Sequence, residues 1–190
     1  MATMTLKFSG QSLPGVLLIE PMVFEDARGF FMETYHMGKY GKAGLDRPFV
    51  QDNLSHSRQF TLRGLHYQLN HPQGKLIYVV SGEILDVAVD IRQGSPTFGQ
   101  WTGIRLSSEN RRQLYVPEGF AHGFCVLSET ADVMYKCTDL YAPGDEHGIL
   151  WSEPSLAIEW SVENPILSEK DAGNPPLKDV PADLLPVYRP

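Results

Sequence analysis

The sequence predicts an all-β protein, a sandwich or barrel with a few short helices, and three observations carry that expectation. Short apolar runs recur along the chain, Pro and Gly fall between them rather than in one linker, and helical periodicity is scarce. The runs cover residues 15–20, 75–80, 84–91, 101–106, 113–116, 120–127 and 131–138. The pattern I-L-D-V-A-V-D-I before residue 92 alternates poorly, yet its β-branched content and the flanking Gly82 and Gly94 favour a strand. Residues 32–43 are expected to form one short helix, and the stretch after Leu177 another. The Pro-rich segment 174–190 reads as a tail lying along the surface or a partner subunit. No repeat or low-complexity stretch divides the chain, so residues 1–190 read as a single domain.

Bulk composition narrows the function classes. A chain of 190 residues, 42% hydrophobic and 21% charged, can bury a substantial core and has an ordinary soluble composition. A formal charge of −7 argues against an electrostatic grip on nucleic acid, although local Arg and Lys can still hold one phosphorylated ligand. The two cysteines, Cys125 and Cys137, each lie in an apolar run and are expected to be buried free thiols. Residues 1–11 contain no apolar leader core and no apolar run reaches spanning length, so a cytoplasmic protein without membrane contact is expected.

Reactive groups concentrate in two places. Residues 63–75, RGLHYQLNHPQGK, offer Arg63, His66 and Lys75 on a strand, a turn and the next strand. Arg63 and His66 are three positions apart and would face opposite sides of an ideal strand, and Gly64 marks a candidate bulge that re-aims them. A strand His is more often structural than catalytic, and His71 beside Pro72 reads as an ordinary loop residue. The second cluster is PEGFAHGF, 117–124, whose P-x-G-x-x-H spacing resembles the second metal-binding motif of the cupin superfamily of β-jelly rolls. The first cupin motif needs an HxH pair and a Glu, whereas His66-Tyr67-Gln68 supplies neither the second His nor the Glu. A cupin-type jelly roll is therefore expected without a metal, because a stable site takes three or four ligands. His122 either donates to a ligand phosphate or satisfies a core hydrogen bond.

Candidate partners for a base lie downstream. Tyr135 could project a phenol into a barrel mouth, or simply sit with its ring in the core. Asp171 could orient an imidazole, or cap a helix. Lys75 could stabilise an enolate, although most lysines are simply exposed. Arg28 and Arg63 suit a diphosphate, and Gln51 and Asn53 carry amides able to read a base or sugar edge.

Together these runs resemble the dTDP-4-dehydrorhamnose 3,5-epimerase family. The matching pieces are FEDARGFFMETY, FVQDNLSHS, LRGLHYQ, QGKL, GEILDVAVDIRQGSPTFGQW, LYVPEGFAHGF, YKCTDLYAP, GILW and LSEKDA, in the family's order over nearly the whole chain. The resemblance implies a cupin-type jelly roll, a homodimer, no metal or organic cofactor, and a dTDP-linked 4-keto-6-deoxyhexose as substrate, inverted at C3 and C5. It implies His66 as base with Asp171 as its partner, Tyr135 as proton donor and Lys75 as enolate stabiliser. Arg28, Glu33, Gln51, Asp52, Asn53, Arg63, His122, Glu146 and Lys170 fall on ligand-binding positions, with Arg28 and Glu33 coming from the neighbouring subunit. One departure is Leu140, where many members carry an aromatic residue before the second Tyr of the YKxTxxY run. Rival readings are an epimerase acting at C3 or C5 alone, a metal-dependent cupin, and a non-catalytic sugar-binding cupin.

Overall fold

The computed structural model describes residues 5–189; residues 1–4 of the segment inspected for a leader, and Pro190 of the tail, lie outside them. Among the described residues the strands are, in chain order, β1 (Lys7–Gly10), β2 (Leu17–Glu20), β3 (Val23–Asp26), β4 (Gly29–Met32), β5 (Gln51–Arg58), β6 (Leu62–Gln68), β7 (Lys75–Ser81), β8 (Glu83–Asp90), β9 (Trp101–Ser107), β10 (Gln113–Val116), β11 (Phe120–Val126), β12 (Thr130–Cys137) and β13 (Glu146–Gly148). They form a six-stranded sheet, β1-β2-β10-β7-β12-β5, facing a five-stranded sheet, β13-β6-β11-β8-β9, with β3-β4 as a separate hairpin. Every pairing between these strands is antiparallel. The expected β-sandwich is present.

Two apolar layers account for the strand that alternates poorly. Ile84 and Ala88 of β8 join Ile77, Leu114 and Val133 in a core between the sheets. Leu85, Val87 and Val89 point the other way, into a second core closed by Ile149, Leu156, Trp160, Leu177 and Leu185. Because the C-terminal segment covers the outer face of this sheet, β8 is buried on both sides and shows no polar alternation. The tail is thus part of the fold: Leu177 and Leu185 are buried, and Tyr67 donates its hydroxyl proton to the Leu184 carbonyl at 2.9 Å.

The helix expectations need correction. Residues 29–32 extend as β4, paired from Val23↔Met32 to Asp26↔Gly29, so the helix expected over 32–43 is confined to α1 (Met37–Gly41). His36 caps it, its Nδ1 accepting from the Gly38 amide at 3.1 Å, and the weak helix formers Gly38 and Gly41 limit it to little more than a turn. After Leu177 only two single 3₁₀ turns form, Leu177–Asp179 and Ala182–Leu184, because Pro176, Pro181 and Pro186 interrupt any longer run. A short helix not foreseen, α2 (Glu169–Ala172), begins at Ser168. Cys125 and Cys137 are buried and unpaired as expected. Among the described residues no helix is long and apolar enough to cross a membrane.

Candidate active site

A bulge aims β6, next to the edge strand β13. In the β6–β11 ladder His122 faces His66 and Phe124 faces Arg63, so two residues of β6 lie opposite the single Gly123. Gly64 occupies the bulge at φ 122°, in a backbone region that favours glycine. A Cβ there would lie 2.5 Å from the Gly123 Cα and 2.8 Å from the His122 carbonyl oxygen. The extra residue turns Arg63 and His66 toward one cavity of about 580 Å³. The candidate bulge in the sequence is therefore real.

Inside this cavity His66 bonds through Nε2 to Asp171 Oδ1 at 2.5 Å, while Nδ1 lies 3.9 Å from Glu146 Oε1. In the neutral ring a proton on Nε2 satisfies the carboxylate, which only accepts, and the lone pair then falls on Nδ1, the nitrogen on the Glu146 side. Asp171 sits in α2, where Ser168 Oγ accepts from its amide at 3.1 Å. Burial alone would raise the Asp171 carboxyl, but His66, the Ser168 hydroxyl and the Gly64 amide together hold it below its usual range. The carboxylate is charged and aimed at neutral pH.

Lys75, from β7, and Tyr135, from β12, line the same cavity. Burial raises the Tyr135 phenol above its ordinary pKa, with Cys137 and Glu146 adding to the shift and Arg63 opposing it. A phenol kept protonated is available as an acid. Burial lowers Lys75, against the pull of Cys137, Glu146 and Asp86. Arg63, whose Nε donates to Ser57 Oγ at 3.1 Å, puts a guanidinium on the cavity wall. Glu146 accepts from the Tyr141 hydroxyl at 2.9 Å and pairs with Lys170.

The remaining expected residues divide. His122 and Lys170 line the main cavity, and Gln51 and Asn53 line an adjoining lobe of about 270 Å³ that shares His66, Lys75 and Tyr135 with it. Asp52 alternates to the other face of β5, where it accepts from Lys136 Nζ at 2.8 Å. Arg28 lies on the β3–β4 turn paired with Asp26, and Glu33 pairs with Lys39 at 2.8 Å. None of these three lines either lobe in the single chain. The Leu140 side chain is 60% exposed and also lines neither lobe.

Two members were not singled out beforehand. Tyr141 closes the adjoining lobe, held by its hydroxyl bond to Glu146 and by its amide, which donates to Gln51 Oε1 at 2.8 Å. Asp86 stands behind His122, its Oδ1 2.7 Å from Nε2. A carboxylate inside the apolar run ILDVAVDI is the signal that could have found it, since a buried acid requires a partner.

Known proteins resemble this chain in sequence and fold. A family model described as dTDP-4-dehydrorhamnose 3,5-epimerase matches residues 10–179. A relative from Shigella flexneri named dTDP-4-dehydrorhamnose 3,5-epimerase is 57% identical over 161 residues, covering 84% of this chain and 89% of the relative. A relative of the same name from Neisseria gonorrhoeae is 55% identical over 84% of this chain and 49% of its own length, so this chain spans about half of that protein. The crystal structure of dTDP-6-deoxy-D-glucose-3,5-epimerase from Legionella pneumophila in complex with dTDP-4-keto-L-rhamnose superposes with a TM-score of 0.96 at 48% identity, covering 98% of this chain and 100% of that one.

Proposed function

The chain belongs to the dTDP-4-dehydrorhamnose 3,5-epimerase family, and from that premise we propose how its cavity works. The chain is an isomerase that converts dTDP-4-dehydro-6-deoxy-D-glucose into dTDP-4-dehydro-L-rhamnose, a step of dTDP-L-rhamnose biosynthesis. One observation carries the mechanism: the His66–Asp171 pair at 2.5 Å in a cavity shared with Lys75 and Tyr135.

The C4 ketone makes the protons on C3 and C5 acidic. His66 Nδ1 takes one of them, the C–H electron pair moves into an enolate, and the new imidazolium keeps its Nε2–H bond to Asp171. The Lys75 ammonium stabilises the enolate oxygen. Tyr135 then gives its phenolic proton to the same carbon from the opposite face, the ketone re-forms, and the centre is inverted. Proton exchange with water restores the phenol and the neutral imidazole. Arg63, with His122, Gln51 and Asn53, holds the diphosphate, sugar and base. Glu146, paired with Lys170, fixes the rim of the cavity beside the base.

The reaction is tested by proton NMR in deuterated water with the 4-keto-6-deoxyglucose nucleotide. Deuterium is expected at both C3 and C5; incorporation at a single carbon would instead make the chain a 3- or 5-only epimerase. Tyr135→Phe is expected to keep exchange at one or both carbons but to epimerise at least about 100-fold more slowly, the usual scale for a lost proton donor. Unchanged epimerisation would remove Tyr135 from the mechanism.

The working form is a homodimer. The β3–β4 hairpin bares Phe24, Phe30 and Phe31, which are 53, 57 and 68% exposed, beside Arg28. Phe24 and Phe31 pair across one face of the hairpin with ring centroids 6.3 Å apart, while Phe30 lies on the other face under Arg111, and exposed aromatics of this kind suit a second copy. In that dimer the hairpin carries Arg28 and Glu33 to the neighbouring cavity, supplying the charges the single chain holds elsewhere. Sedimentation of a dimer at micromolar concentration is the expected result, and a monomer would contradict it. The unpaired, buried Cys125 and Cys137 fit a reducing cytoplasm.

A further inference from the structure

One buried acid has no part in the chemistry described so far. Asp86 is fully buried in β8, on the inner face with Ile84 and Ala88. Its Oδ1 meets His122 Nε2 at 2.7 Å, while Oδ2 is buried without a hydrogen-bond partner among the described residues. Leaving a carboxylate oxygen unsatisfied in an apolar layer costs stability, and an acid retained only for packing is easily replaced by an apolar residue. The cost therefore needs a return elsewhere. His122 supplies the connection: it sits opposite His66 across the β6–β11 ladder, lines the main cavity, and shares a narrow gap beneath it with Lys75.

We propose that Asp86 is a positioning residue for this reaction. It holds the His122 ring with Nε2–H directed into the core, so that Nδ1 is the nitrogen presented to the sugar, and it places a fixed negative charge beneath the Lys75 ammonium. The cavity then contains two imidazoles facing each other across one ladder, each oriented by its own buried carboxylate. The titratable groups around Lys75 are Cys137 and Tyr135 from β12, His66 and Arg63 from β6, Glu146 from β13, His122 from β11 and Asp86 from β8, with Tyr141 and, at α2, Lys170 and Asp171 on the same cavity wall. Of the two carboxylates that act on Lys75, Glu146 is already engaged by Lys170 and Tyr141, whereas Asp86 Oδ2 is free of any such bond. Burial lowers Lys75 and Asp86 opposes that fall, so loss of this charge favours the neutral amine.

The inference rests on the epimerase reading above, and Asp86→Asn tests it. The amide is of the same size, so with little change of shape the variant removes the charge near Lys75 and lets an NH₂ compete for His122 Nε2, which weakens the hold on its proton. The expected result is a roughly 10- to 100-fold lower kcat, the scale seen when the carboxylate behind a metal-ligating His is lost and smaller than for a carboxylate behind the base itself. KM for the nucleotide sugar, which His122 also contacts, is expected to rise by a smaller factor than kcat falls, and the alkaline limb of kcat to move to lower pH. A kcat and pH profile equal to the parent's would overturn the proposal, as would a raised KM with kcat unchanged. Nitrogen-15 NMR of the parent protein supplies a readout that needs neither the variant nor turnover. A proton on His122 Nε2 is expected, and a neutral ring protonated on Nδ1 alone would also overturn the proposal. Failure of the epimerase reading is distinguishable, because the parent itself would then leave the 4-keto sugar unchanged.

Discussion

Asp171→Asn is expected to lower kcat by about 10⁴-fold with little change in KM, the scale measured when an orienting carboxylate beside a catalytic imidazole becomes an amide. The carboxylate oxygen at 2.5 Å from His66 Nε2 can only accept, so it fixes the proton on that nitrogen. A carboxamide can turn its NH₂ to Nε2, which moves the ring proton to Nδ1 and removes the lone pair that would attack the sugar. The surroundings do not change with the substitution: the Ser168 hydroxyl still caps the Asp171 amide, and the side chain keeps its volume. Steady-state kinetics on the dTDP-4-keto sugar decides the matter, with dTDP binding as the control for an intact cavity. A loss smaller than about tenfold would mean that His66 does not depend on Asp171 for its tautomer.

Gly64→Ala is expected to destabilise the protein by roughly 3–5 kcal/mol, combining backbone strain with overpacking against atoms that cannot rotate away. The nearest neighbours of the added Cβ are backbone, at 2.5 and 2.8 Å, and the residue's φ of 122° is unfavourable for any L side chain. For a domain of this size that is a fall in melting temperature of roughly 6–20 °C. Gly94→Ala is the control: its φ of 79° is also positive, yet nothing lies within 4 Å of its Cβ, so only about 1 kcal/mol is expected there. Urea denaturation that places the two variants at equal stability would refute the claim that close approach of β6 and β11 sets the bulge.

Much of the fold was legible where burial follows composition. The runs that became β7, β9, β10, β11 and β12 are apolar because at least one face of each meets a core. Strand β5 was not legible: QDNLSHSR has no apolar period, because its inner face lines the cavity with Gln51, Asn53 and Ser55 while its outer face is exposed. The helix expected over 32–43 started too early because Met32 pairs with Val23 in the hairpin and the chain turns helical only after the His36 cap.

The site divides along the same line. His66, Lys75, Tyr135 and Asp171 come from β6, β7, β12 and α2, and no local spacing relates them. Read as single residues each had an ordinary alternative, and only the ordered series of motifs named them together. Alternation along β5 could have separated Asp52 from Gln51 and Asn53, had that segment been read as a strand. Asp86 was visible as a charge in an apolar run, but its partner His122 lies 36 positions away on a neighbouring strand.

The most direct measurement of the central claim is deuterium uptake by the dTDP-4-keto sugar in heavy water, comparing the parent protein with His66→Asn. The parent is expected to label C3 and C5, whereas the variant still binds dTDP but labels neither carbon. Labelling by His66→Asn at the parent's rate would contradict that claim.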